Sequence, residues 1–180
     1  NKNNNVFYTM KHVKGLNLQE LIKQYADKKN DSETKKQNQN HLIEILISVC
    51  NAVAFAHSKK VIHRDLKPEN IMIGEYGEVI LMDFGLAKIL SKKNEEIEEL
   101  GEPITSSRYQ SDQIISFHGE ITGTPKYMSP EQAKGEIDQQ DERTDIYALG
   151  AILFTCIVNL PPTPGGSIKE VIENVIDGIR

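Results

Sequence analysis

The chain has 180 residues, 38% of them hydrophobic and 26% charged, with a net charge of −5 and a pI near 5.6. That length suits one domain with a sizeable core, and that composition is the one expected of a soluble globular protein. The acidic balance argues against a general nucleic-acid binder, which needs basic surface to neutralise phosphates, and is compatible with acidic loops and Mg²⁺ sites.

In chain order, residues 6–10 predict a short strand running toward a glycine-containing turn at Gly15, and Leu16, Leu18, Leu21 and Ile22 then recur at helical spacing. Residues 28–40 (KKNDSETKKQNQN) are polar and low in complexity, and read as a solvated linker. Leu42, Ile45, Leu46, Val49, Cys50, Val53 and Ala56 form a helical stripe over 42–57, widened by Ile43, Ile47, Ala52, Ala54 and Phe55, which predicts a central, buried helix. Short β-like runs follow at 61–62, 71–73 and 79–82, with a turn over 74–77. Residues 91–120, with five glutamates in EEIEELGE, read as an exposed insertion. A helical pattern resumes over 146–158, and a Pro/Gly-rich connector (PPTPGG, 161–166) precedes an amphipathic helix over 168–179.

Cys50 and Cys156 lie in apolar stretches and read as buried free thiols suited to a reducing cytosol. The sequon at Asn30 is read as chance, since no secretory signal accompanies it. The most apolar stretch, 148–160, has 13 residues where a span needs about 20, so it predicts a core helix and no membrane segment in this chain. A chain that starts at Asn1 reads as a piece of a longer protein, whose other parts could carry a membrane anchor or a homodimer interface.

The chemistry concentrates between Val61 and Gly85. Asp65, Asn70 and Asp83 each sit at the edge of a β-like run, and tight connections can return Asp83 beside the other two. Two carboxylates and an amide oxygen suit Mg²⁺, which completes its shell with water and phosphate, and Lys67 places a cation where a phosphate could lie. Loop residues with no shared site are the alternative reading of the same four positions.

HRDLKPEN (63–70) followed by DFG (83–85) resembles the catalytic and metal-binding loops of protein kinases. GTPKYMSPE (123–131) resembles the family's substrate-binding segment, with Ser129 in place of Ala; DIYALG (145–150) resembles the start of its buried anchoring helix; FYTMKHVKG (7–15) resembles its last small-lobe strand and hinge. The resemblance spans residues 6 to 165 or so, in family order. It implies an α+β, protein-kinase-like fold: a mostly helical large lobe with short β-hairpins, with the small lobe largely absent. Residues 1–15 then form the last small-lobe strand and hinge, and 16–180 an incomplete large lobe.

By matching position, Asp65 is expected to accept or orient the substrate hydroxyl proton, Lys67 to stabilise the transferred phosphoryl group, and Asn70 and Asp83 to hold Mg²⁺ (or Mn²⁺) against ATP. Met10, Lys11, His12, Val13 and Met72 are expected to line the adenine pocket, with Met10 and Met72 as plain core residues the alternative. Gly123, Thr124 and Pro125 are expected to face substrate, Thr124 by hydrogen bonding to Asp65 and Lys67. His63, Arg64, Gly85, Glu131 and Asp145 are expected to be structural: His63 in the spine, Gly85 letting the backbone turn after Phe84, Asp145 accepting catalytic-loop amides, Glu131 pairing with an arginine beyond this chain. Arg64 resembles the arginine that receives a loop phosphate, with Thr122 and Ser116, or Thr105, Ser106 and Ser107, as candidate phosphorylation sites. His12, His41, His57 and His118 have no metal-ligand spacing, and their side chains are read as ordinary.

The catalytic-loop sequence resembles the serine/threonine branch, with protein substrates, and GTPKYMSPEQAKGE is most similar to bacterial members. The expected activity is ATP-dependent serine/threonine phosphorylation in the cytoplasm, with the 180 residues alone inactive because no Gly-rich loop, strand lysine or helix glutamate is present. A kinase-like scaffold without phosphotransfer is the second reading. A small-molecule phosphotransferase is the third.

Overall fold

The structure, a computed structural model, describes residues 13–27, 31–90 and 125–179. Strand β1 (Gly15–Asn17) leads into helix α1 (Leu18–Asp27) and the long helix α2 (Ser32–Ser58). Strands β2 (Val61–Ile62), β3 (Ile71–Gly74), β4 (Val79–Leu81) and β5 (Lys88–Ile89) follow, then α3 (Pro130–Ala133), α4 (Glu142–Val158) and α5 (Ile168–Asp177). The strands form two small antiparallel sheets, β1-β3-β4 and β2-β5.

Gly15 lies in a strand rather than the predicted turn. It pairs with Gly74 at φ +140°, and a Cβ there would stand 2.0 Å from the Ile73 carbonyl oxygen, so the pairing requires glycine. The helix after it starts at Leu18, two residues later than the apolar pattern suggests. Asn17 and Glu20 explain the start: the Glu20 amide donates to Asn17 Oδ1 and the Asn17 amide to Glu20 Oε2, each at 2.9 Å.

Most of the polar stretch 28–40 is helix, not linker. Asp31 caps α2 by accepting the Thr34 amide at 2.8 Å, and Glu33 sits favourably in the first turn. Thr34 and Asn38 are half-buried and extend the helical stripe that Leu42, Ile45, Leu46, Val49 and Val53 bury further on. The stretch hid its helix because its residues expose nearly every side, so hydrophobic period carried no signal there.

That longer helix corrects two further expectations. By length and composition α2 is apolar enough to cross a membrane. Its buried face belongs to the core cluster with α1 and α4, so we read it as a core helix. Nor is α2 buried all round: Ile47 is 55% and Phe55 66% exposed, and Cys50 lies on the exposed side. Cys156 is buried, and burial raises its thiol pKa to about 11. Both thiols are free.

Helix α4 is the axis of the domain. Asp141 caps it by accepting the Arg143 amide at 2.9 Å, Asn159 closes it in a left-handed conformation, and Ala148, Leu149, Ile152 and Cys156 pack inward against α2. The expected connector and last helix are present: Ser167 caps α5, Gly178 ends it, and Val171 and Val175 are buried.

Replacing Ile152, which is fully buried, by alanine should cost about 2–5 kcal/mol, while Ile47→Ala should stay within about 0.5 kcal/mol. Urea midpoints of the two variants measure this; equal losses would contradict the assignment of the core to the α4 side of α2.

Candidate active site

Strand β2 delivers the chain to His63, which has no exposed surface, and then to Arg64, whose backbone is left-handed at φ 68°. A non-glycine residue keeps that conformation only when neighbours fix it. Asp145, in the first turn of α4 and 1% exposed, does so. Its Oδ2 accepts the His63 amide at 2.9 Å and the His57 Nε2 at 2.7 Å, and its Oδ1 accepts the Arg64 amide at 2.9 Å. The start of α4 adds a favourable dipole for the carboxylate.

From that anchor the loop turns back on itself. The Asp65 carboxylate accepts from Lys67 Nζ at 2.9 and 3.2 Å and from Asn70 Nδ2 at 3.0 Å; Nδ2 also donates to the Asp65 carbonyl at 2.8 Å. Asn70 ends a 3₁₀ turn (Pro68–Asn70) that runs straight into β3. Its carbonyl accepts the Met82 amide at 2.8 Å, which places the end of β4, and hence Asp83, alongside the loop.

His63 ties these pieces together. Its Nδ1 accepts the Asp65 amide at 3.2 Å, so its Nε2 carries the proton and donates to the Met82 carbonyl at 3.0 Å. Burial lowers its pKa below the usual 6.5, against the opposing pull of the Met82 carbonyl and of Asp145, Asp65 and Asp83. The Phe84 ring packs against it with centroids 4.6 Å apart.

At Asp83 the structure departs from the expectation for Gly85. The left-handed residue is Asp83 (φ 60°), whose Oδ1 accepts the Gly85 amide at 3.3 Å. Gly85 sits inside the 3₁₀ turn Phe84–Leu86, which needs ordinary negative φ, and is absent from the positive-φ glycines. An aspartate tolerates this conformation better than most side chains because it can bond its own backbone.

Other expected residues fall where the described segments allow. Met72 is half-buried in β3, opposite Asn17 and Ile80, and Val13 is half-buried before β1. Pro125 opens a buried 3₁₀ turn (Pro125–Tyr127). Ser129 caps α3 against Gln132, and Glu131 accepts the Thr144 hydroxyl at 2.6 Å. Burial of the Glu131 carboxyl raises its pKa, but hydrogen bonds from Thr144 and Ser129 outweigh this and hold it below the usual value. Met10, Lys11, His12, Thr105, Ser106, Ser107, Ser116, Thr122, Gly123 and Thr124 lie outside the described residues.

Sequence reasoning missed four polar residues. His57, read as ordinary, bonds Asp145; Gln132 Nε2 donates to the Arg64 carbonyl at 2.7 Å; Thr144 bonds Glu131; and Gln140 Oε1 accepts from Arg64 Nη1 at 3.3 Å. Three of these contacts join residues 68 to 88 positions apart, so no local spacing announces them.

Among the described residues no group of three or more His, Cys, Asp or Glu could enclose a metal ion. The candidate ligands are hard oxygens on neighbouring segments. With Nδ2 committed to Asp65, Asn70 keeps Oδ1 for another partner, and Asp83 offers its carboxylate. Two such ligands fit Mg²⁺, which takes few protein ligands and keeps water and phosphate oxygens in its shell.

A carboxylate clasped by a lysine and an asparagine thus lies on one short loop, and an Asp-Phe-Gly turn docks on a buried histidine of the same loop. The protein kinase domain model matches residues 1–180, and the chain belongs to that family. It is 40% identical over 172 residues to the serine/threonine-protein kinase PknD of Protochlamydia amoebophila (strain UWE25), covering 94% of this chain and 17% of that protein. It is 38% identical over 153 residues to PknD of Chlamydia trachomatis (serovar L2b) and 34% over 151 to PknD of Chlamydia felis, each covering 83% of this chain. The chain thus spans 16–17% of the length of these curated relatives. Their similarity agrees with the bacterial flavour of the sequence.

The depressed pKa of His63 sets a pH window. The unfolded chain regains the ordinary value of about 6.5 and takes up a proton more readily than the fold does, so stability is full above that pH. It should fall as the pH drops through the window below, by at most about 1.4 kcal/mol per unit for one proton. Urea melts at pH 7.5 and 5.5 should show a larger loss for wild type than for His63→Leu; parallel losses would assign the effect to another group.

Proposed function

We propose that this chain supplies the large-lobe part of a serine/threonine protein kinase, moving the γ-phosphate of ATP onto Ser or Thr hydroxyls of proteins. The observation that carries the reading is the Asp65 carboxylate fixed by Lys67 Nζ and Asn70 Nδ2 on one short loop, with Asp83 brought alongside. Residues 1–15 would belong to the small lobe and hinge, with 16–180 in the large lobe, and adenine would lie against Met72 and Val13.

In this reading Asp65 meets the incoming hydroxyl, orients its oxygen in line with the γ-phosphorus and takes its proton as the new P–O bond forms and ADP leaves. Lys67, already 2.9 Å from Asp65, is a short swing from the transferred phosphoryl oxygens and offsets their charge. Asn70 and Asp83 would hold Mg²⁺, which supplies charge neutralisation on the phosphates. Little covalent chemistry is asked of the protein, so the rate rests on positioning and electrostatics, which is what a loop with this many fixed atoms provides. In this reading the kinase domain works in the cytoplasm, where ATP is supplied.

The test uses the full-length protein with radiolabelled ATP, Mg²⁺ and a generic Ser/Thr protein substrate. Asp65→Asn should lower turnover by about 10²–10⁴-fold, the range of a general base, and Asp83→Ala should abolish label transfer. A loss under about fivefold at Asp65 would contradict its role.

A further inference from the structure

The short turn 137–140, just before α4, holds two cations from two parts of the site. Lys88 Nζ, on β5, donates to the Ile137 carbonyl at 2.8 Å. Arg64 Nη1 donates to Gln140 Oε1 at 3.3 Å, and Arg64 Nε donates to the Leu86 carbonyl. The turn therefore reaches the catalytic loop through Arg64 and the segment after Asp83 through Lys88.

Gln140 is an odd residue for this place. It is 2% exposed, and its Nε2 has no hydrogen-bond partner among the described residues. An unpaired buried amide donor is destabilising, so an apolar side chain of the same size would serve packing better. The bonded atom of its head group is Oε1, and its partner is the Arg64 guanidinium. The Arg64 backbone is already held at both ends, its amide by Asp145 and its carbonyl by Gln132. The guanidinium crosses to the Leu86 carbonyl.

We propose that Gln140 is a positioning residue: it steadies the Arg64 guanidinium and, through the bond from Arg64 to the Leu86 carbonyl, holds the segment following Asp83 in register with Asp65. The inference rests on the kinase reading for its catalytic consequence and on geometry for the tie itself.

The test compares full-length wild type, Gln140→Leu and Gln140→Glu by phosphotransfer kinetics, thermal melting and hydrogen exchange of residues 84–90. Gln140→Leu should lower kcat on the order of tenfold, the scale of one hydrogen bond to a charged group, with KM for ATP within about twofold. Its melting temperature should hold or rise, because the orphaned donor is gone, while exchange over 84–90 accelerates. Gln140→Glu, which keeps an oxygen at the same reach, should recover most of the loss. Unchanged kcat and exchange in Gln140→Leu would overturn the proposal, as would a melting temperature that falls with activity and no recovery by Glu, the mark of a packing residue. If wild type transfers no phosphate, the kinase reading fails, and exchange alone decides the tie: accelerated exchange upholds it and unchanged exchange overturns it.

Discussion

A carboxylate at 1% exposure is expensive to bury unless donors surround it, and Asp145 is surrounded. It receives two successive backbone amides, His63 and Arg64, and the imidazole of His57. The exchange works in both directions. The amides give the charge its partners, and the charge holds Arg64 at a positive φ that its side chain would otherwise resist. Because Asp145 stands on the most deeply packed helix, the catalytic loop inherits the rigidity of the core rather than that of a surface loop. Everything chemically interesting between residues 63 and 70 is suspended from this one side chain.

From there, order propagates through buried polar atoms as well as apolar contact. His63 must be neutral and in one tautomer to accept from Asp65 and donate to Met82 at once, and burial is what keeps it so. Met82 is then gripped on both faces, its carbonyl by His63 and its amide by Asn70. A network of this kind tolerates little: each member has one geometry in which all its bonds are made, and losing one leaves a buried group unpaired. That is a cost in designability and a gain in precision, and precision is what the proposed phosphotransfer would ask of the site.

The catalytic loop was legible in the sequence because its chemistry is local. Asp65, Lys67 and Asn70 lie within six residues, and the resemblance of HRDLKPEN to the protein-kinase loop singled them out where spacing alone left unshared loop positions as the alternative. The buried stripe of α2 and the core of α4 were legible by period. What was hidden followed from two physical causes. Residues 32–40 fold as helix on capping and helix-tolerant polar side chains, which leave no hydrophobic signature. Gln132, Gln140 and His57 act across separations of 68 to 88 residues, where only the folded chain reveals a partner. Gly85 is a third kind of error: glycine suggested the strained position, whereas Asp83 carries it and is paid back by its own bond to the Gly85 amide.

The same bonds explain how the segments carrying Asp65 and Asp83, 18 positions apart, are held side by side on so little secondary structure. No strand between residues 61 and 89 exceeds four residues, and such strands hold poorly on their own. The segment instead closes in nested loops. β2 pairs with β5 and the Leu90 amide donates to the Lys60 carbonyl at 2.7 Å, fastening the ends; β3 pairs with β4, fastening the middle; His63 and Asn70 both bind Met82, fastening the two halves. Each closure shortens the loop that the next must close, so the entropic cost of ordering is met in small steps. The outcome is a pair of loops whose freedom has been removed from three directions.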